Sequence, residues 1–131
     1  MPDRLLPDHA GLARAADLLR SGELVAFPTD TVYGIGCRTG DPEALARLFA
    51  AKRRPPEKAI PWLVGSLDEI VRLGFRADER AVRLAERFWP GALTLVLPAG
   101  EGQGTQAFRV PDHPVSLALL ASAGPLAVSS A

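Results

Sequence analysis

Phe27-Pro28-Thr29-Asp30-Thr31-Val32-Tyr33-Gly34-Ile35-Gly36-Cys37 places two hydroxyls, a carboxylate and a phenol directly after a short apolar run. In layered α/β proteins, ligands sit where strands end. Thr29 and Thr31 suit hydrogen bonds to a small polar ligand, and the glycines let backbone approach closely. The same residues also make an ordinary polar turn. Gly34-x-Gly36 is not a dinucleotide fingerprint, because the third glycine and the following helix are missing.

Lys52-Arg53-Arg54-Pro55-Pro56-Glu57-Lys58 carries four cations in seven residues, stiffened by two prolines. A stiff cationic loop suits a triphosphate or another compact anion, with arginine as a fork and lysine as a point charge. Cations completing a helix C-terminus account for Lys52 and Arg53 but poorly for Lys58. Arg109 lies inside the apolar stretch Thr105 to Val110. A charge there needs either a partner such as Asp30 or Asp112, or a ligand carboxylate. Ser129-Ser130 follows the apolar Leu126-Ala127-Val128 and marks another strand end.

Other chemistries find little support. Cys37 has no nearby histidine or aspartate to activate it and reads as a small buried residue. His113, between Asp112 and Pro114, reads as a turn residue, and His9 is the other histidine, so a histidine metal cluster is not expected. There is no G-x-x-x-x-G-K-[ST] loop. The two tryptophans and five phenylalanines are scattered at core-like positions rather than forming a platform for bases.

The elements that must hold these residues alternate in type. His9 to Arg20 is an amphipathic helix capped by Asp8, with Leu12, Ala15, Ala16 and Leu19 on one face and Gly22 at its end. Leu24 to Phe27 reads as a strand covered on both faces, and Thr31-Val32-Tyr33 as the start of a second. Asp41-Pro42-Glu43 begins a helix running to about Lys52. Ala59 to Val64 reads as a strand in which Pro61 implies an edge or bulge. Ser66 caps a helix ending at Gly74. Asp78 starts another with Ala81, Leu84, Ala85 and Phe88 inward, broken by Trp89-Pro90-Gly91. Ala92 to Leu97 and Thr105 to Val110 read as strands, Val115 to Ala123 as a helix, and Leu126 to Ser130 as a last strand. The order predicts an α/β layered domain with a mixed sheet.

The 131 residues suit one domain over positions 1–131. Fifteen basic and fifteen acidic side chains cancel, which argues against bulk electrostatic attachment to nucleic acid. One cysteine excludes a disulfide framework. No apolar run reaches the ~20 residues that span a bilayer, and no signal peptide is visible, so a cytoplasmic location is expected.

Together these segments resemble the YrdC/Sua5 family, the threonylcarbamoyl-AMP synthases of tRNA modification. The matching pieces are Ser21-Gly22 through Gly36, Lys52-Arg53-Arg54, Trp89-Pro90-Gly91-Ala92-Leu93-Thr94, Arg109-Val110-Pro111-Asp112-His113-Pro114, and Pro125-Leu126 through Ala131. The resemblance implies a twisted, mostly open mixed sheet with helices packed on it and a basic concave groove. It also implies joining of L-threonine, bicarbonate or CO2 and ATP into threonylcarbamoyl-adenylate, with pyrophosphate released and Mg²⁺ accompanying ATP. The product then serves modification of adenosine 37 of tRNA, with partner proteins acting downstream.

By the same resemblance, Thr31 contacts threonine, with Thr29 and Tyr33 shaping the pocket. Arg109 pairs with the threonine carboxylate, and Ser129 and Ser130 supply hydroxyls. Lys52, Arg54 and Lys58 hold ATP phosphates, Lys52 and Arg54 in the catalytic role, and Thr105 helps bind the nucleotide. No protein metal site is implied.

The sequence departs from the family at two places. The family's S-x-N run puts an asparagine just past Ala131, and members continue with further strand and helix. An uncovered sheet edge would then invite self-association. Leu63 stands where the Sua5 branch tends to have histidine. Two other functions remain in view. One is a non-catalytic module binding double-stranded RNA or ribosomes. The other is the carbamoyl-transfer domain of hydrogenase-maturation proteins, whose acylphosphatase and zinc-finger segments are not seen.

Overall fold

The computed structural model describes residues 4–52, 60–100 and 104–130. In chain order the elements are α1 His9–Arg20, β1 Val25–Pro28, β2 Tyr33–Arg38, α2 Pro42–Lys52, β3 Trp62–Leu63, α3 Leu67–Arg72, α4 Glu79–Phe88, β4 Leu95–Pro98, β5 Thr105–Arg109, α5 Pro114–Ala123 and β6 Leu126–Ser130. The strands form an open sheet in the order β1-β2-β6-β3-β5-β4. Only β3–β5 is parallel; the other neighbours run antiparallel. This is the mixed α/β sheet that the element order predicts. Among the described residues, no helix is long and apolar enough to cross a membrane.

Local chemistry sets the helix starts. The side chains of Asp8, Ser66 and Asp78 accept the backbone N–H three residues on, from Gly11, Glu69 and Ala81. Each satisfies a donor that the first helical turn cannot pair internally. His113 caps α5 in the same sense, its Nδ1 accepting the N–H of Val115 at 3.1 Å. A backbone-satisfied turn residue is its sequence reading as well.

Strand β6 is the spine of the fold. Leu126 and Val128 pack into the layer formed with α1 and α5, through Ala16, Leu19, Leu119 and Leu120. Ala127, one residue out of phase, meets α2 through Ala44 and Leu48, with Cys37 beside them. The two-residue period of a strand requires this division. A third cluster joins α3 and α4 to β4 and β5 around fully buried Phe108. Its ring stands edge-on to Trp62 and Phe75, with centroids 5.8 and 4.9 Å away. Each such pair adds about 0.5–1.5 kcal/mol beyond the area it buries.

Four sequence expectations are corrected. Leu24 to Phe27 reads as doubly covered, yet β1 is an edge strand and only Phe27 in it is buried. An apolar run does not say how many neighbours a strand has. Conversely, within the described residues 60–64, β3 is an interior strand of two residues, not the edge that is one of the two readings of Pro61. Pro61 precedes it, where its missing N–H costs no ladder bond, and its carbonyl accepts the N–H of Val128 at 3.1 Å. Residues 92–94 stay outside β4, which starts at Leu95. Phe88 is 46% exposed beneath the guanidinium of Arg87 rather than inward. It closes α4, where the helical stripe has already run past the core.

Candidate functional site

The loop between β1 and β2 is tied by its own hydroxyls. Thr29 Oγ1 accepts the N–H groups of Thr31 and Val32, each at 3.2 Å, and donates to the Val32 carbonyl. A threonine is suited to this double use, as acceptor and donor in one turn. The loop then reaches Arg109 on β5. Strands β6 and β3 stand between β2 and β5 in the sheet. At the usual inter-strand spacing this is a span of about 14 Å, so the loop arches over the sheet to make the contact.

Arg109 is the hub. Its Nε donates to the Gly91 carbonyl at 2.8 Å, its Nη1 to Thr31 Oγ1 at 3.2 Å, and its Nη2 to the Asp30 carboxylate. Side-chain exposure is 12% for Arg109 and 18% for Asp30. Of the alternatives that the sequence leaves open, the Asp30 partner is the one this structure holds. The turn 89–94 supports the arrangement. Gly91 N–H donates to the Val110 carbonyl at 2.8 Å, and Trp89 Nε1 to the Leu93 carbonyl at 2.7 Å. A Cβ on Gly91 would stand 2.6 Å from the Phe88 carbonyl oxygen, so the tight turn requires glycine.

Partial burial pushes the Asp30 carboxyl upward. The Asp112 backbone N–H, the Arg109 hydrogen bond, its own backbone N–H and the arginine charge outweigh this and hold it below the usual carboxylate value. Burial raises the Cys37 thiol to about 11. It is therefore protonated at neutral pH, consistent with a packing role.

Beneath the arched loop lies a cleft of about 260 Å³, lined by Thr29, Thr31, Val32, Gly34, Pro61, Leu63, Thr94, Arg109, Val128, Ser129 and Ser130. Four adjacent strands and three connecting segments contribute. Gly34 pairs with Ser130 and Gly36 with Val128. A Cβ on Gly34 would stand 2.5 Å from Val128 Cγ1. Glycine in β2 thus lets β6 and its valine close the cleft wall.

Thr29, Thr31, Arg109, Ser129 and Ser130 converge here, although up to about 100 residues separate them in sequence. Tyr33 does not join them. It is 64% exposed and lines a separate apolar groove beside β1 and α1, with Leu12 and Phe27. Its neighbour Gly34 takes the cleft position. Thr105 is exposed at the far end of β5, about 13 Å along the strand from Arg109, and does not line the cleft. Lys52 is the half-buried last residue of α2. Arg54 and Lys58 lie outside the described residues.

Thr94, Val32, Pro61, Leu63 and Val128 line the cleft without having been singled out as ligand contacts. Thr94 had a signal, since it ends the match that begins at Trp89. Val32 and Val128 also lie within matched pieces, and Leu63 marks a departure from the family, but nothing in the chain order shows that these positions meet.

The sequence profile of the Sua5/YciO/YrdC family, described as "Telomere recombination", matches residues 17–131. A threonylcarbamoyl-AMP synthase from Bacillus subtilis is 40% identical over 98% of the chain, and one from Chromohalobacter salexigens is 42% identical over 92%. The chain spans 40% of the Bacillus protein's length and 70% of the Chromohalobacter protein's. Among solved structures, Pyrococcus abyssi Sua5 complexed with L-threonine superposes with a TM-score of 0.87 at 39% identity, covering 98% of this chain and 40% of that one. Escherichia coli YciO gives 0.81 at 25% identity, covering 98% and 66%.

Proposed function

The chain belongs to the Sua5/YciO/YrdC family, and from that membership and the cleft's geometry we propose that it carries the threonine-binding and adenylating core of a threonylcarbamoyl-AMP synthase. The observation that carries the reading is the convergence of Arg109 with the hydroxyls of Thr29, Thr31, Ser129 and Ser130 on one small cleft. An amino acid offers a carboxylate, an amine and a short side chain. Arg109 is the cation for the carboxylate, the hydroxyls meet the polar groups, and Val128, Leu63 and Pro61 form an apolar wall for the methyl. The Pyrococcus relative whose structure contains L-threonine shares this fold at 39% identity.

The proposed reaction needs no protein nucleophile. The threonine amine adds CO2 to give a carbamate and releases a proton. A carbamate oxygen then forms a bond to the α-phosphorus of ATP, and the bond to pyrophosphate breaks. The residues' work is to hold the carbamate in line and to offset charge on the phosphates. Lys52, Arg54 and Lys58 are proposed for the phosphates, Lys52 and Arg54 in the catalytic role, and Thr105 for the nucleotide. Among the described residues, no three His, Cys, Asp or Glu side chains gather to hold a metal. Mg²⁺ is proposed to arrive as Mg-ATP, keeping waters and phosphate oxygens as ligands and neutralising phosphate charge.

The test is pyrophosphate release from Mg-ATP, with threonine and bicarbonate each present or omitted. Release that needs both and is lost in Lys52→Ala is expected. A folded protein that neither binds threonine nor releases pyrophosphate overturns the reading.

A further inference from the structure

The feature left unexplained by threonine recognition is Asp30. Its carboxylate occupies the cation that the cleft offers to a ligand, yet Asp30 itself does not line the cleft. A guanidinium has two N–H forks that fit a carboxylate, and both include Nη2. The side fork joins Nη2 to Nε, already donated to the Gly91 carbonyl. The end fork joins it to Nη1, already donated to Thr31. Asp30 sits on Nη2 itself. A second carboxylate therefore meets a cation whose charge is already offset, whose single Nε–H is engaged and whose Nη2 already gives one of its two N–H groups to Asp30. Arg109 also does not depend on Asp30 for its place, since Gly91 and Thr31 hold the other two nitrogens.

We propose that Asp30 is an internal carboxylate that competes with the ligand carboxylate for Arg109 and must be displaced before the ligand can pair with it. The inference rests on the threonine reading and deepens it. Asp30 lies in a four-residue loop tied locally by Thr29, its displacement gives up the Asp112 N–H as well as Arg109, and its 18% exposure leaves it a route to water. Apparent affinity is the intrinsic affinity reduced by the fraction of molecules in which Arg109 is released. Asp30 is thus a specificity-setting residue that touches no substrate. It makes weak anions poor ligands, because only a ligand with further contacts in the cleft offsets the lost ion pair.

The test compares Asp30→Asn with the unmutated protein by calorimetric titration of L-threonine and of L-threoninamide, which lacks the carboxylate. The asparagine oxygen can still accept the Asp112 N–H, so the loop should keep its shape. Asp30→Ser removes the carboxylate by a second route, and circular dichroism confirms that each variant is folded. Removing a competing charged hydrogen bond is expected to tighten threonine binding about tenfold and to leave threoninamide unchanged. Threonine binding that is measurable in the unmutated protein but unchanged or weaker in both variants overturns this inference alone. No threonine binding to any of the three proteins overturns it together with the reading beneath it.

Discussion

Two hollows in this molecule differ in size and in chemistry. The larger, about 540 Å³, lies between α3 and α4 and is lined by Leu67, Val71, Val82, Trp89 and neighbours, with Asp68 and Glu86 at hand. The smaller, about 260 Å³, is the cleft at Arg109. The larger one lies between two helices near one end of the sheet, and its two carboxylates offer an anionic or uncharged ligand no cation. The smaller one gathers a guanidinium from β5 and hydroxyls from β6 and two loops. Volume alone does not make a site. Convergence of groups that a ligand must satisfy does, and convergence requires strands distant in sequence.

Three substitutions distinguish the two hollows by the size of their effects. Arg109→Ala should have the largest effect. It removes the cation and leaves Asp30 partly buried without its partner. Threonine affinity should fall at least about thirtyfold, and thermal unfolding should show a loss of about 2 kcal/mol. An unaltered affinity would mean that the cleft does not recognise a carboxylate.

Gly34→Ala should come next. Its new methyl meets Val128 Cγ1 at 2.5 Å, so β2 and β6 must separate or Val128 must turn into the cleft. Overpacking of this kind costs about 1–3 kcal/mol. Thermal melts and titrations with serine and threonine should show lower stability and a shift toward the smaller amino acid. A shift with no loss of stability would place the strain wholly in the cleft. Glu86→Gln at the larger hollow should have the smallest effect. Stability should stay within about 0.5 kcal/mol and threonine affinity should stay unchanged. A change in affinity would join the two hollows functionally and dissolve the contrast.

Much of the site was legible at the level of residue type. Thr29, Thr31, Arg109, Ser129 and Ser130 each stood out by chemistry, and an arginine inside an apolar strand advertised a partner. Tyr33 stood out too, but its phenol lines the groove beside β1 and α1 and not the cleft. Thr94 and Val128 were missed as contacts because the residues they meet at the cleft lie far away in the chain.

The helix starts, the central apolar strand 126–128 and the break after Phe88 are legible along the chain alone. Each follows from forces acting within a few residues: a side-chain oxygen meeting an N–H three positions on, a short apolar run, a proline that cannot continue a helix. Long-range pairing sets β1 at an edge and two-residue β3 in the interior, runs β3 and β5 parallel, and gives Arg109 the side chain of Asp30 rather than that of Asp112. These depend on which strands pair across long loops. A strand's edge groups are chemically alike along its length, so pairing is selected by the summed burial of whole faces and not by any local sign.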